Sequence, residues 1–160
     1  MAETFENSKN PAEAVRPARA RPLVLVTEDD EDTRFVLRTM LGMRGYAVIE
    51  AANGEEAVRL AASALPDLIL MDGSLPRLDG LAAARRIRQL GAAGRVPIVF
   101  VSGHAEPSFR AGAREVGCDE YLVKPLDFER LRVVVDRHLR GGAGGPSASR
   151  PECRNQGVEG

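Results

Sequence analysis

Short runs of apolar residues alternate with longer stretches of helical periodicity through the middle of the chain. Runs of four apolar residues at 23–26, 68–71 and 98–101 predict strands that are buried on both faces. Shorter strands are predicted at 47–51 and 121–123, and a helical pattern follows each of the five strands. Such alternation is typical of a parallel sheet with helices on both faces. We therefore predict an α/β fold with five parallel strands.

Capping and helix-breaking residues divide this pattern into elements. Asn53 is placed to cap the second helix, Pro66 to end that helix, and Gly80 to open the third helix. The fourth helix carries Phe109 on its apolar face but is otherwise rich in glycine and small residues. Low helical propensity makes it the least secure of the five helices, and we expect it to be mobile.

Composition divides the chain into one folded domain and two tails. Residues 1–22 mix alanine, proline, arginine and glutamate without periodicity, and are predicted to be a disordered leader. Residues 23–140 contain all the predicted strands and helices. A glycine-rich run at 141–145 opens a polar segment that is predicted to be a disordered tail through residue 160.

The charge balance limits the classes of partner. The chain has 22 basic and 23 acidic residues and a net charge of -1, so no bulk field favours nucleic acid or an anionic membrane. It has no apolar run of the roughly 18 residues that cross a bilayer, and a cytoplasmic protein is expected. Cys118 and Cys153 lie far apart in sequence and are interpreted as two free thiols.

Polar side chains stand where the predicted strands end. In a parallel sheet with right-handed crossovers, every C-terminal strand end lies at the same edge of the sheet. That edge is where ligands bind in open α/β folds. The residues expected to gather there are Glu28, Asp29, Asp72, Ser102 and Lys124. For Asp72 alone, a capping role in the turn that follows is an equally good interpretation.

Three neighbouring carboxylates repel one another unless a cation offsets their charge. Oxygen ligands without histidine or cysteine favour Mg²⁺. Asp72 is then placed to attack a phosphoryl group, whose oxygens Lys124 and Ser102 could contact. Lys124 is one of only two lysines among 22 basic residues, and a compact ammonium reaches a phosphoryl oxygen more easily than a broad guanidinium does.

Four motifs together resemble the receiver domain of two-component response regulators. They are the acidic run after the first strand, residues 71–80 around Asp72, the Val-Ser-Gly at 101–103 and the Val-Lys-Pro at 123–125. The resemblance covers residue 23 to about residue 140. It implies the strand order 2-1-3-4-5 and a phosphoryl group that Asp72 accepts from a histidine kinase or a histidine phosphotransfer protein.

The resemblance also implies a role for each residue of the site. Asp29 would be a direct Mg²⁺ ligand and Glu28 a ligand through water, with Asp72 and the backbone carbonyl of Ser74 completing the site; Asp30 is a weaker candidate. Ser102 and Tyr121 match the switch residues, and Tyr121 is expected to turn inward as Ser102 moves. Lys124 matches the lysine of the phosphoryl site, and Pro125 the cis proline.

We expect a stand-alone receiver that passes its phosphorylation state to an unknown protein target. Its only catalysis would be its own phosphorylation and dephosphorylation, and neither nucleic acid nor membrane is expected as a partner. One alternative is a docking or dimerisation module that works independently of phosphorylation. A metal-dependent phosphohydrolase is less favoured, since the second acid that such enzymes carry two residues after the nucleophile is replaced by Ser74.

Overall fold

Parallel strands form the centre of the structure, a computed structural model that describes residues 19–103, 107–140 and 154–156. The predicted strands are β1 (Leu23–Thr27), β2 (Ala47–Ala51), β3 (Leu68–Asp72), β4 (Ile98–Ser102) and β5 (Glu120–Val123). They lie in the order β2-β1-β3-β4-β5, and each neighbouring pair is parallel. The predicted α/β class and strand order are confirmed.

A helix follows each of these strands. The helices are α1 (Glu31–Met43), α2 (Gly54–Ala64), α3 (Gly80–Arg88), α4 (Pro107–Glu115) and α5 (Phe128–Leu139), and a short 3-10 helix (Ala92–Arg95) precedes β4. Four of the helices begin after a side chain that accepts a hydrogen bond from an amide of the first turn. These caps are Asp30 for α1, Asn53 for α2, Asp79 for α3 and Asp127 for α5. The predicted cap at Asn53 is confirmed.

Two apolar layers hold the helices against the sheet. On one face, α1 and α5 pack through leucines and valines, which include Leu37, Leu41, Leu131, Val134 and Val135. On the other face, α2, α3 and α4 pack largely through alanines, which include Ala57, Ala61, Ala83, Ala84 and Ala113. Every residue of β1, β3 and β4 is buried. Polar side chains can therefore reach solvent only where these strands end.

A sixth strand lies at the edge of the sheet, beside β5. This strand, β6 (Arg154–Gln156), is parallel to β5 and places Arg154 opposite Glu120. The structure thus differs from the predicted disordered tail at these three residues, whose backbone pairs with the free edge of β5. The polar tail has no apolar alternation that could have predicted this pairing.

The limits predicted for the domain stay predictions. Residues 1–18, 104–106, 141–153 and 157–160 lie outside the described residues. Arg19, which composition assigned to the leader, forms an ion pair of 3.2 Å with Asp67 ahead of β3. Arg19, the first residue that the structure describes, therefore contacts the segment before β3.

Cys118 is a disulfide-bonded cysteine, so the prediction of a free thiol is wrong at this position. It is fully buried just before β5, and the one other cysteine, Cys153, lies outside the described residues. Sequence spacing does not show whether two cysteines reach bonding geometry, which explains the error. Because disulfides persist mainly in oxidising compartments, the cytoplasmic location stays a prediction. None of the described helices is both long and apolar enough to cross a membrane.

Candidate functional site

Asp72 lies at the C-terminal end of β3, the central strand of the predicted set, and is 5% exposed. Its Oδ1 accepts a hydrogen bond of 3.0 Å from the backbone amide of Ser74. Its Oδ2 lies 3.3 Å from Nζ of Lys124. The turn-capping interpretation of Asp72 therefore accounts for one carboxylate oxygen, and the other faces a cation.

Two more acids, Glu28 and Asp29, follow β1 and lie beside Asp72. The three residues can each offer an oxygen such that all these atoms lie within 4.8 Å of one another. Glu28 is buried and accepts a hydrogen bond of 3.1 Å from the amide of Asp30, whereas Asp29 is exposed. Asp30 itself caps α1 through a 2.9 Å bond from the amide of Thr33. The acidic run thus divides into site residues and a helix cap.

Lys124 bridges two of these carboxylates from the end of β5. Its Nζ lies 3.3 Å from Asp72 Oδ2 and 3.4 Å from Glu28 Oε1. The backbone amide of Lys124 donates to the carbonyl of Ser102, and the Lys124–Pro125 peptide is cis, as the resemblance implied. The structure thus gathers the polar ends of β1, β3, β4 and β5 at one edge.

Burial and repulsion shift the protonation of this cluster. Burial, together with the charge of Asp72, raises the pKa of Glu28 to about 7. Burial disfavours the ammonium of Lys124, but the charges of Asp72 and Glu28 outweigh it and raise the pKa of Lys124 above its ordinary value. Lys124 contacts two of the three carboxylates, and the site keeps an excess of negative charge when all three acids are ionised.

The donor atoms of this cluster suit a hard divalent cation. All three side chains offer carboxylate oxygens, which is the chemistry that Mg²⁺ prefers, and one of the three is exposed and reachable from solvent. Ser74 follows two residues after Asp72 and contacts its carboxylate through the amide. A role for the Ser74 carbonyl as a further ligand stays a prediction.

Ser102 and Tyr121 lie beneath this edge of the sheet and are both buried. Ser102 ends β4, directly beside Gly73 of the loop after Asp72. The Tyr121 ring contacts Phe109 at a centroid distance of 5.9 Å, and the Arg110 guanidinium lies 5.2 Å from its centroid. Tyr121 is only 2% exposed, so its side chain already points inward in this structure. Its movement together with Ser102 stays a prediction.

Gly73 and Phe109 lie next to the site, although the sequence analysis assigned neither of them a role there. The Phe109 ring lies against the backbone of Gly73. A groove of about 550 Å³ beside Asp72 is lined by acids and apolar residues, among them Asp29, Asp79, Leu75, Pro76, Leu81 and Phe109. The only sequence signal was the glycine directly after Asp72, which indicates close approach by another group.

Known proteins of one family resemble this chain. The model of the response regulator receiver domain matches residues 24–136. The response regulator MprA of Mycolicibacterium vanbaalenii is 36% identical over 130 residues, which are 79% of this chain and 55% of that protein. The probable transcriptional regulator ycf27 of Guillardia theta is 34% identical over 73% of this chain and 45% of its own length. The chain therefore spans about half the length of these curated relatives.

Solved structures give the same result. The chemotaxis protein CheY4 of Vibrio cholerae superimposes with a TM-score of 0.71 at 29% identity, over 75% of this chain and 100% of that one. The receiver domain of the sensor histidine kinase PA1611 from Pseudomonas aeruginosa, with magnesium coordinated in its active-site cleft, gives 0.68 at 36% identity, over 74% and 97%. Together with the four strand-end motifs, these matches show that the chain belongs to the receiver domains of response regulators in two-component signalling.

Proposed function

We propose that the chain accepts a phosphoryl group on Asp72 from a histidine kinase or a histidine phosphotransfer protein. The observation that carries this proposal is the buried Asp72 carboxylate, held 3.3 Å from Lys124 beside two further acids. In the transfer, a carboxylate oxygen of Asp72 attacks phosphorus while the bond from phosphorus to the donor imidazole nitrogen breaks. The electron pair of that bond stays on the imidazole.

The residues around Asp72 stabilise the charge that this step brings in. Lys124 already contacts Oδ2 of Asp72, so its ammonium lies next to the phosphoryl oxygens of the product. The Ser102 hydroxyl can donate to another of these oxygens. Glu28, Asp29, Asp72 and the Ser74 carbonyl would hold Mg²⁺, which supplies charge neutralisation at the phosphoryl group.

The chemistry that we propose for the chain is limited to the phosphorylation of Asp72 and the hydrolysis of the resulting aspartyl phosphate. Ser74 stands where a phosphohydrolase would need its general acid, which disfavours turnover of external phosphate esters. The state of Asp72 would be conveyed through Ser102 and Tyr121 to a protein-binding surface formed by α4, β5 and α5.

The target of that surface is part of the proposal. We propose a protein partner, because the net charge of -1 gives no bulk attraction to nucleic acid. The absence of a nucleic-acid partner has no support from the relatives, since one of them is named a probable transcriptional regulator. A stand-alone receiver is likewise only proposed: it has no support from these relatives, which are about twice as long as the part of them that matches this chain.

Acetyl phosphate and Mg²⁺ test the acceptor. We expect the wild-type protein to take up one hydroxylamine-labile phosphoryl group per chain. Borohydride reduction converts an aspartyl phosphate to homoserine, and mass spectrometry of the digested protein should place that residue at position 72. Homoserine at another aspartate, or stable turnover of p-nitrophenyl phosphate without labelling, would contradict the proposal.

Mg²⁺ binding should weaken as the pH falls below about 7, the pKa of Glu28. The cation binds ionised carboxylates, so at lower pH it must displace a proton from Glu28. With one proton displaced, the dissociation constant should rise about tenfold from pH 8 to pH 6, as calorimetric titration with MgCl₂ would show.

The stability of the metal-free protein should also depend on pH. The pKa of Glu28 is raised from 4.5 to about 7 in the folded state, so the folded protein binds the Glu28 proton more tightly than the unfolded chain does. The contribution of Glu28 to stability is therefore greatest below pH 4.5 and is lost as the pH rises from 4.5 to about 7.

Glu28→Gln is the matched variant for this measurement. It keeps the shape of the side chain but has no proton to lose, so its Mg²⁺ affinity should be lower and nearly independent of pH over this range. Equal pH dependence in the variant and the wild type would assign the proton to another group.

A further inference from the structure

Gly73 leaves a notch beside Asp72, and the ring of Phe109 fills it. A Cβ at position 73 would lie 2.5 Å from Cζ of Phe109 and 2.8 Å from Oγ of Ser102. Even alanine would therefore have to displace both of these groups. Gly73 is not among the glycines with positive φ, unlike Gly45, so the notch requires glycine for space and not for its backbone conformation.

Phe109 joins this notch to the aromatic core under α4. It lies in the first turn of α4, and its ring meets Phe100 and Tyr121 edge-on at centroid distances of 6.0 Å and 5.9 Å. Such edge-to-face pairs add to the free energy of burial. A single side chain thus contacts the loop after Asp72 and the buried rings of β4 and β5.

The two ends of α4 are held by different groups. Beyond its C-terminal end, the carbonyls of Val116 and Gly117 accept hydrogen bonds of 3.0 Å and 2.8 Å from the Arg88 guanidinium. Within the helix, Ala113 is the buried residue. The N-terminal half is anchored by Phe109 against Gly73. A change at the notch therefore acts on one end of α4 while the other end stays fixed.

We propose that Phe109 is the positioning residue that couples phosphorylation of Asp72 to the N-terminal end of α4, an inference that rests on the proposed function. Ser102 and Phe109 border the same notch. When the Ser102 hydroxyl moves toward the phosphoryl group, the space beside Gly73 changes, and the ring moves with the helix turn that carries it. The contacts that place Phe109 are with Gly73, Phe100 and Tyr121, so we expect that loading of Asp72 does not depend on it.

Hydrogen exchange in the presence of beryllofluoride and Mg²⁺ tests this coupling in the full chain. In the wild type, loading should change the exchange rates of the amides at 110–113 by at least about fivefold. Phe109→Leu keeps an apolar side chain but not the ring. It should load to the same extent, as fluorine NMR of the bound beryllofluoride measures, while the exchange response of α4 is lost. Phe35→Leu, the same change on the exposed face of α1, should keep the response.

Three results would overturn the inference. A normal response of α4 in Phe109→Leu would show that the ring does not transmit the signal, and failure of this folded variant to load would place Phe109 in the acceptor site itself. If the wild type does not load, both the proposed function and the coupling fail. If it loads and Phe109→Leu keeps the α4 response, only the coupling fails.

Gly73→Ala tests the same contact from the other side and replaces Phe109→Leu if that variant does not fold. The added methyl group should displace the ring and raise the exchange of α4 without beryllofluoride, toward the level of the loaded wild type. Adding Phe109→Leu to Gly73→Ala should change the exchange of α4 by less than the sum of the two single changes, because both act on the contact between position 73 and the ring. Unchanged α4 exchange in Gly73→Ala, or additive effects in the double variant, would contradict the coupling.

Discussion

Asp72→Asn is expected to abolish phosphate incorporation from acetyl phosphate, with labelling reduced by at least about a hundredfold. The amide is nearly the same size as the carboxylate but is a far weaker nucleophile. The substitution also removes one of the three carboxylates whose oxygens lie within 4.8 Å of one another, so Mg²⁺ should bind much more weakly. At a Mg²⁺ concentration of 100 times its dissociation constant, the wild type should gain about 2.7 kcal/mol of stability, and the variant should lose most of this gain.

Asp79→Asn is the matched control for this variant. It also removes one charge near the groove, but Asp79 caps α3 by accepting a hydrogen bond of 2.9 Å from the amide of Ala82. Asparagine caps helices as well as aspartate does, so the fold should be unaffected. Labelling and Mg²⁺ stabilisation should both be retained. Labelled Asp72→Asn, or equal losses in the two variants, would show that general acidity and not the Asp72 carboxylate carries the chemistry.

The strand ends were predictable from the sequence because a parallel sheet brings them together by topology alone. Four buried apolar residues ahead of Asp72 fixed its strand, and right-handed crossovers then brought Lys124 to the same edge. The distance of 3.3 Å between Lys124 Nζ and Asp72 Oδ2 agrees with that rule. No side-chain geometry was needed for the prediction.

Contacts that depend on side-chain shape were not predictable in the same way. The notch at Gly73 is filled by the Phe109 ring, which belongs to a helix more than 30 residues later, and no periodicity encodes such a pair. The disulfide at Cys118 and the pairing of β6 depend likewise on distances between segments that are remote in sequence. The sequence pattern therefore predicted the sheet, whereas the contact between Gly73 and Phe109 depends on how distant segments pack together.

Arg88→Lys is the variant with the largest expected effect on stability. The Arg88 guanidinium donates to four backbone carbonyls: Gly94 at 3.0 Å, Val96 at 2.6 Å, Val116 at 3.0 Å and Gly117 at 2.8 Å. These acceptors belong to two different connections, one before β4 and one before β5. A planar fork can reach both at once, but a single ammonium cannot. We expect the free energy of unfolding to fall by roughly 3 kcal/mol, since partly buried carbonyls lose charge-assisted hydrogen bonds.

Urea unfolding followed by circular dichroism measures this loss, and Arg86→Lys on the same helix is the matched control. Arg86 is exposed, so its replacement should change stability by less than about 0.5 kcal/mol. Because Arg88 holds the segment after α4, its loss should also raise hydrogen exchange at 114–117 without affecting the labelling of Asp72. An equal stability change in the two variants would mean that the four carbonyls find other partners, and that α4 is fixed at its C-terminal end by packing alone.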